Sequence, residues 1–220
     1  MNRFLHFIRY AVYAPFVLPS LCAYWCTTKS RKDKINQDID AYWSHSRGRE
    51  RGSYLSMLYD LLVVTKEFRN VYYVRLGILG RKLLPIFLKP LPLLFINPAF
   101  IDNYDGGLYV AHGFSTRIGA RKIGKNLWVH QHVSIGMTAT GRPEIGDNVY
   151  IGTSAVIVGG IKIGNNVRIG ANATVVDDVP DNAVVVSPKA KVVKFINDTS
   201  NVSGKSKGGK YLNVSTLNAV

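Results

Sequence analysis

PEIGDNVYIGTSAVIVGGIKIGNNVRIGANATVVDDVP, residues 143–180, carries an aliphatic side chain at every sixth position: Ile145, Ile151, Ile157, Ile163, Ile169 and Val175. Glycine follows four of these, as Gly146, Gly152, Gly164 and Gly170. Two residues before the aliphatic position stands another small or branched one: Val149, Ala155, Ile161, Val167 and Ala173, with Leu127 and Val133 upstream. The beat extends back through Ile123, Val129 and Ile135, and in a shifted frame through His112 and Ile118. Neither a helix nor an ordinary strand has a period of six. A hexapeptide repeat marks a parallel β-helix, each unit forming one flat side of a three-sided coil. The aliphatic residue points into the narrow core, and the glycine after it is expected to relieve the bend at the corner.

One interval is longer. Ile135 and Ile145 stand ten residues apart, so 136–144 must leave the coil as a loop, and loops of solenoids gather at binding faces.

Outside the repeat the patterning changes. Residues 4–25, FLHFIRYAVYAPFVLPSLCAYW, are apolar and long enough to cross a bilayer, but His6, Arg9, Pro15 and Pro19 interrupt them and favour an interfacial helix. No small-x-small cleavage site marks a signal peptide. A second apolar run, LLPIFLKPLPLLFINP (83–98), leads into the repeat. Both runs suit either packing against the helical part or a neighbouring subunit, or docking on an anionic membrane, helped by Lys29, Arg31, Lys32 and Lys34. Between them, 38–43 and 54–77 read as helices, with Gly77 and Gly80 as breaks. The domains read as an apolar segment (1–30), a helical cap (31–96), a β-helix (97–194) and a flexible tail (195–220), in which NVSTLNAV offers one more strand. Cys22 and Cys26 read as buried or lipid-facing thiols rather than metal ligands.

The chain carries 28 Lys and Arg against 14 Asp and Glu. Nucleic acid is excluded as the partner: the cations are dispersed, without a finger or helix-turn-helix pattern and without interleaved aromatics. An anionic membrane and a polyanionic cofactor remain.

The segments GLYVAHGFSTRIG (107–119), IGKNLWVHQHVSIG (123–136), 143–180 and SPKAKVVK (187–194) resemble the hexapeptide-repeat acyltransferases. With the lead-in INQDIDAYW (35–43) and FRNVYYVRLG (68–77), the resemblance is to serine acetyltransferases and relatives that acetylate surface polysaccharides. It implies a mainly β fold, a left-handed parallel β-helix of about five coils with an α-helical N-terminal cap, an exception to the right-handed crossover rule. It also implies a homotrimer, with acetyl-CoA as co-substrate in a cleft between two subunits.

Acetyl transfer to a hydroxyl needs a base, because an alcohol is a poor nucleophile at neutral pH. His112, in GLYVAHG, matches the catalytic histidine of the resembling branch and stands in an aliphatic slot of the six-residue frame. A carboxylate should fix its tautomer. Asp102 and Asp105 are the nearby acids, since FINP (95–98) lacks the aspartate of that branch's Asp-x-His-Pro motif. His130 and His132, as H-Q-H, have no third ligand spaced for a metal and read as lining the acceptor cleft. Arg142 and Ala111 stand where serine acetyltransferases carry a histidine and an aspartate that bind the amino acid, which argues against L-serine. Thr153, Ser154 and Ala171 match small positions beside the pantetheine arm, and Lys191 and Lys194 match basic residues that meet coenzyme A phosphates. The expected activity is acetyl-CoA-dependent O-acetylation, with no metal, of a sugar hydroxyl on a surface-polysaccharide precursor. Its expected place is the cytoplasm, peripheral on the inner face of the membrane. Serine O-acetylation and a non-catalytic scaffold are the alternatives.

Overall fold

The computed structural model describes residues 3–45 and 50–191. Five helices come first: α1 (Arg3–Cys26), α2 (Lys29–Ser44), α3 (Tyr54–Val64), α4 (Lys66–Arg75) and α5 (Gly77–Leu83). Pro15 and Pro19 lie inside α1 without ending it. Thr28 caps α2 by accepting from the Arg31 N–H, and Ser53 caps α3 by accepting from that of Ser56. The helix expected over 54–77 is divided at Thr65, whose φ of −113° and ψ of 103° are extended, after a β-branched Val63–Val64–Thr65 run. Gly77 turns the chain with φ +75°, but Gly80 does not break α5. A Cβ there would lie 2.6 Å from the Tyr73 carbonyl oxygen, so Gly80 lets the chain approach α4 closely.

The repeat then winds into a left-handed parallel β-solenoid of about five turns. One five-stranded sheet stacks β1 (Leu94–Ile96), β3 (Thr116–Ile118), β6 (Ser134–Gly136), β9 (Val156–Val158) and β12 (Thr174–Val175). A second stacks β2 (Tyr109–Val110), β5 (Trp128–Val129), β8 (Tyr150–Ile151), β11 (Arg168–Ile169) and β13 (Val184–Val185). The third contains β4 (Lys122–Ile123), β7 (Glu144–Ile145) and β10 (Lys162–Ile163), and single bridges from Ile123 to Tyr104 and from Ile163 to Val179 extend it at both ends. Because β1 pairs with β3, the solenoid begins three residues ahead of the expected boundary at 97.

The aliphatic positions are buried as the period requires, and they continue without a gap into the cap, where Ile35, Ile39, Leu58, Leu62 and Phe68 are also buried. The corners differ from expectation. Left-handed backbone at the start of the second sheet is taken by Asn126, Asn148, Asn166 and Asn182, with φ between 56° and 61°. Asparagine tolerates this region, and the side chains of these residues hydrogen-bond from coil to coil at 2.9–3.1 Å. Gly146, Gly152, Gly164 and Gly170 keep ordinary φ; a Cβ on Gly152 would sit 2.8 Å from the Ala171 nitrogen. These glycines permit close stacking of coils rather than the bend itself.

The unit holding cap and solenoid ends at Ser187. Lys191 is exposed beyond it, whereas Lys194 and the tail with its NVSTLNAV segment lie outside the described residues.

Candidate active site

The corner that leads from the second sheet to the first gathers most of the predicted site. Val110, Val129, Ile151 and Ile169 are in register at the end of the second sheet. Two residues further along, Gln131, Thr153 and Ala171 follow one another up the stack, joined where Ser154 N–H donates to Gln131 O and Asn172 N–H to Thr153 O. His112, His130, His132, Thr153, Ser154 and Ala171 therefore share one edge of the solenoid.

At the base of this edge the beat fails. Val110 and Ile118 are the buried core residues of the first coil, eight apart, whereas Val129 to Ile135, Ile151 to Ile157 and Ile169 to Val175 are each six apart. The two extra residues enlarge the turn Ala111–Thr116. His112 does not occupy an aliphatic slot, as the shifted frame suggested: Val110 fills the core and His112 is exposed on the enlarged corner with φ 51°. A histidine in the left-handed region is uncommon and carries local strain. A 2.6 Å bond from Phe114 N–H to His112 O closes this turn.

His130 stands next to it. Its ring stacks on Trp128 at 5.6 Å and meets Tyr150 edge-on at 5.3 Å, and its Nε2 is buried with no hydrogen-bond partner among the described residues. Burial lowers its pKa, the neighbouring His112 adds to that, and a hydrogen bond with Gln131 opposes it. His132 is exposed and lies edge-on to Phe114 at 5.9 Å. The two histidines of H-Q-H thus have separate surroundings and do not converge as a ligand pair.

The acids are not where the base would need them. Asp102 is 3.5 Å from Arg31 and Asp105 is 3.9 Å from Lys34. Asp105 hydrogen-bonds through its N–H to Ile123, ahead of β2, while His112 follows β2. The two carboxylates tether α2 to the first coil, and neither has a contact with His112. Proximity in sequence misled because the coil turns a corner between them.

Arg142 is also elsewhere. The loop over 136–144 leaves β6 and returns at β7, at the corner between the first and third sheets. It pinches where Thr138 and Gly141 exchange backbone hydrogen bonds, and Thr140 Oγ1 accepts from Gly160 N–H. The Arg142 guanidinium donates to Gly119 O at 3.0 Å and lies over Phe100 at 5.3 Å. The three residues of β3, about 10 Å of strand, separate this corner from that of His112.

An aromatic ladder went unread in the sequence. Tyr109, Trp128 and Tyr150 are in register and face outward on the second sheet, followed by Arg168, whose guanidinium lies 5.9 Å from the Tyr150 ring centroid. With His45 they line a groove of about 410 Å³. The signal was present in LYV, LWV and VYI, where an aromatic directly precedes the core aliphatic in three coils.

The edge also suits the arm of coenzyme A. Ala171 is exposed and Thr153 half-buried, so small side chains leave the backbone accessible to an extended amide chain. Bound there, acetyl-CoA would supply the activated acetyl group.

Residues 142–177 match the family of bacterial transferase hexapeptides (six repeats). In repeat and fold the chain is similar to the hexapeptide-repeat acyltransferases. Among known proteins it is similar to the serine acetyltransferase of Staphylococcus xylosus, with 40% identity over 92 residues, 40% of this chain. That match spans 43% of the relative, less than half its length. The fold is similar to that of Neisseria gonorrhoeae serine acetyltransferase in complex with serine, at 26% identity and TM-score 0.56, covering 80% of this chain and 73% of that one. It is likewise similar to a serine acetyltransferase in complex with CoA, at 22% identity and TM-score 0.54, covering 74% and 70%.

Proposed function

We propose that the protein is an acetyl-CoA-dependent O-acetyltransferase with His112 as general base. The observation that carries this is the placement of an exposed imidazole, on a strained enlarged corner, at the foot of the edge formed by Gln131, Thr153 and Ala171. In the reaction, His112 takes the proton of the acceptor hydroxyl as that oxygen bonds to the thioester carbonyl carbon. The carbon–sulfur bond then breaks and the departing thiolate takes the proton back. Such help is worth about 10²–10⁴ in rate.

L-Serine is the acceptor we favour, because the relatives that the chain resembles are serine acetyltransferases. A sugar hydroxyl of a surface-polysaccharide precursor is the second reading. Two observations support it: Ala111 and Arg142 replace the amino-acid-binding pair of that branch, and the Tyr109–Trp128–Tyr150 ladder offers flat apolar faces for a pyranose ring. The assembly proposed is a homotrimer, in which Arg142 and its loop from one subunit would meet the His112 corner of the next. Within one protomer the width of β3 keeps them apart. The setting proposed is the inner surface of a membrane, to which the basic N-terminal half would be drawn.

Thiol release from acetyl-CoA, measured with L-serine beside capsule or exopolysaccharide precursors, tests this reading. Turnover with L-serine alone supports the first acceptor, and turnover with the glycan alone supports the second. Acetyl-CoA untouched with every acceptor would leave a scaffold.

A further inference from the structure

Residues 1–32 and 68–101 of this basic chain contain no Asp or Glu. The structure brings them together. α5 and the 3-10 turn after it (Leu84–Ile86) expose Ile78, Leu79, Leu83, Ile86 and Phe87, with Leu79 70% and Ile86 74% accessible. Across from them runs the C-terminal half of α1, and the two elements bound a groove of about 470 Å³ lined by Pro19, Ala23, Cys26, Leu79, Leu83 and Phe87. Cys22 and Cys26 are accordingly exposed rather than buried. Trp25 and Leu18 of α1 are also more than half accessible. Exposed cations accompany this apolar surface: Arg81 and Lys82 between Leu79 and Leu83, Lys89 beyond Phe87, and Lys29 at the head of α2.

Single exposed apolar residues are ordinary, but a cluster spanning two helices marks an interaction surface. The charge decides which partner fits. A second copy docking through the same face would set Arg81, Lys82 and Lys89 against cations of its own kind, with no acid in either stretch to answer them. An anionic bilayer offers apolar chains for Ile78, Leu79, Leu83, Ile86 and Phe87, and headgroup phosphates for the exposed lysines and arginines. Among the described residues no helix is long and apolar enough to cross a membrane, which fits elements lying in its plane.

We propose that α5, the 3-10 turn after it and the groove against α1 dock into the interfacial layer of an anionic lipid bilayer. This deepens the membrane setting named above and is independent of acetyl transfer.

The test is co-sedimentation of the full chain with vesicles of phosphatidylcholine alone or with roughly a third phosphatidylglycerol. Binding should be about tenfold or more tighter to the anionic vesicles, and should weaken by a similar factor between about 0.1 and 0.5 M salt. Leu79→Asp with Ile86→Asp should abolish it, and Arg81→Gln with Lys82→Gln and Lys89→Gln should remove the preference for anionic lipid. These side chains are exposed, so circular dichroism and acetyl-CoA binding should stay as in the wild type. Absence of vesicle binding by the full chain, or binding indifferent to both sets of substitutions, would overturn the proposal. So would an assembly that ignores vesicles and dissociates in the Leu79→Asp, Ile86→Asp variant, which would assign the face to a second copy. Thiol release with a soluble acceptor separates the two claims: vesicle binding without transfer keeps the docking surface and removes the enzyme.

Discussion

Asp38 of α2 and Arg75 of α4 meet in the interior as a bidentate pair, with Nε to Oδ2 at 2.8 Å and Nη2 to Oδ1 at 3.1 Å. Both side chains are almost wholly buried. The remaining hydrogen-bonding capacity is used to hold the first coil: Arg75 donates to Tyr104 O and Asp105 O at 2.6 Å each, and Asp38 accepts from Leu108 N–H at 2.8 Å. The pair is thus the joint between cap and solenoid. Removing one partner would leave the other charge buried alone, at a cost of about 3–5 kcal/mol. Asp38→Ala and Arg75→Ala should each lower Tm strongly, and the double variant should cost far less than their sum, as a denaturation cycle would show.

Glycines in the coils divide into two kinds. A Cβ on Gly152 would meet the backbone of the next coil at 2.8 Å, whereas one on Gly136 would find its nearest neighbour, a Val158 methyl, at 3.7 Å. Gly152→Ala should therefore destabilise by about 1–3 kcal/mol, and Gly136→Ala should be neutral or slightly stabilising. Equal Tm values for the two variants would contradict the stacking role.

The solenoid was legible in the sequence because its period is written in core residues that burial enforces, Ile145 to Val175. The loop was legible as well, from the ten-residue interval after Ile135. What stayed hidden depends on corners. The side chain that tolerates a left-handed turn here is asparagine, at 126, 148, 166 and 182, and the insertion at Ala111–Thr116 shifts the frame by two. That shift placed His112 in an imagined core slot. Asp102 and Asp105 are near His112 in sequence alone: they lie ahead of β2 and pair with Arg31 and Lys34. The helix break at Thr65 was equally hidden, since the apolar spacing continues through it.

His130 gives a pH signature. Burial first, and the neighbouring His112 second, hold its pKa below the ordinary value. As pH falls, the unfolded chain therefore takes up this proton before the folded one does. The stability carried by the neutral ring is complete above the unfolded value of about 6.5. It is lost as pH drops through that value toward the folded one. His130→Gln should show a smaller fall in Tm between about pH 7.5 and 5.5 than the wild type.

The basic pair after the last coil offers a test of the cofactor's phosphates. Lys191→Glu with Lys194→Glu should raise KM for acetyl-CoA while leaving kcat near its original value, and high salt should shrink the difference by screening charge contacts. An unchanged KM would place the phosphates elsewhere.

The most direct measurement is the steady-state rate of thiol release by His112→Asn beside the wild type, with acetyl-CoA binding followed in parallel by calorimetry. The account predicts a fall in kcat of about 10²-fold or more, with acetyl-CoA affinity and Tm nearly unchanged because the side chain is exposed and asparagine tolerates the left-handed corner. Wild-type turnover in His112→Asn would contradict the assignment of His112 as the base.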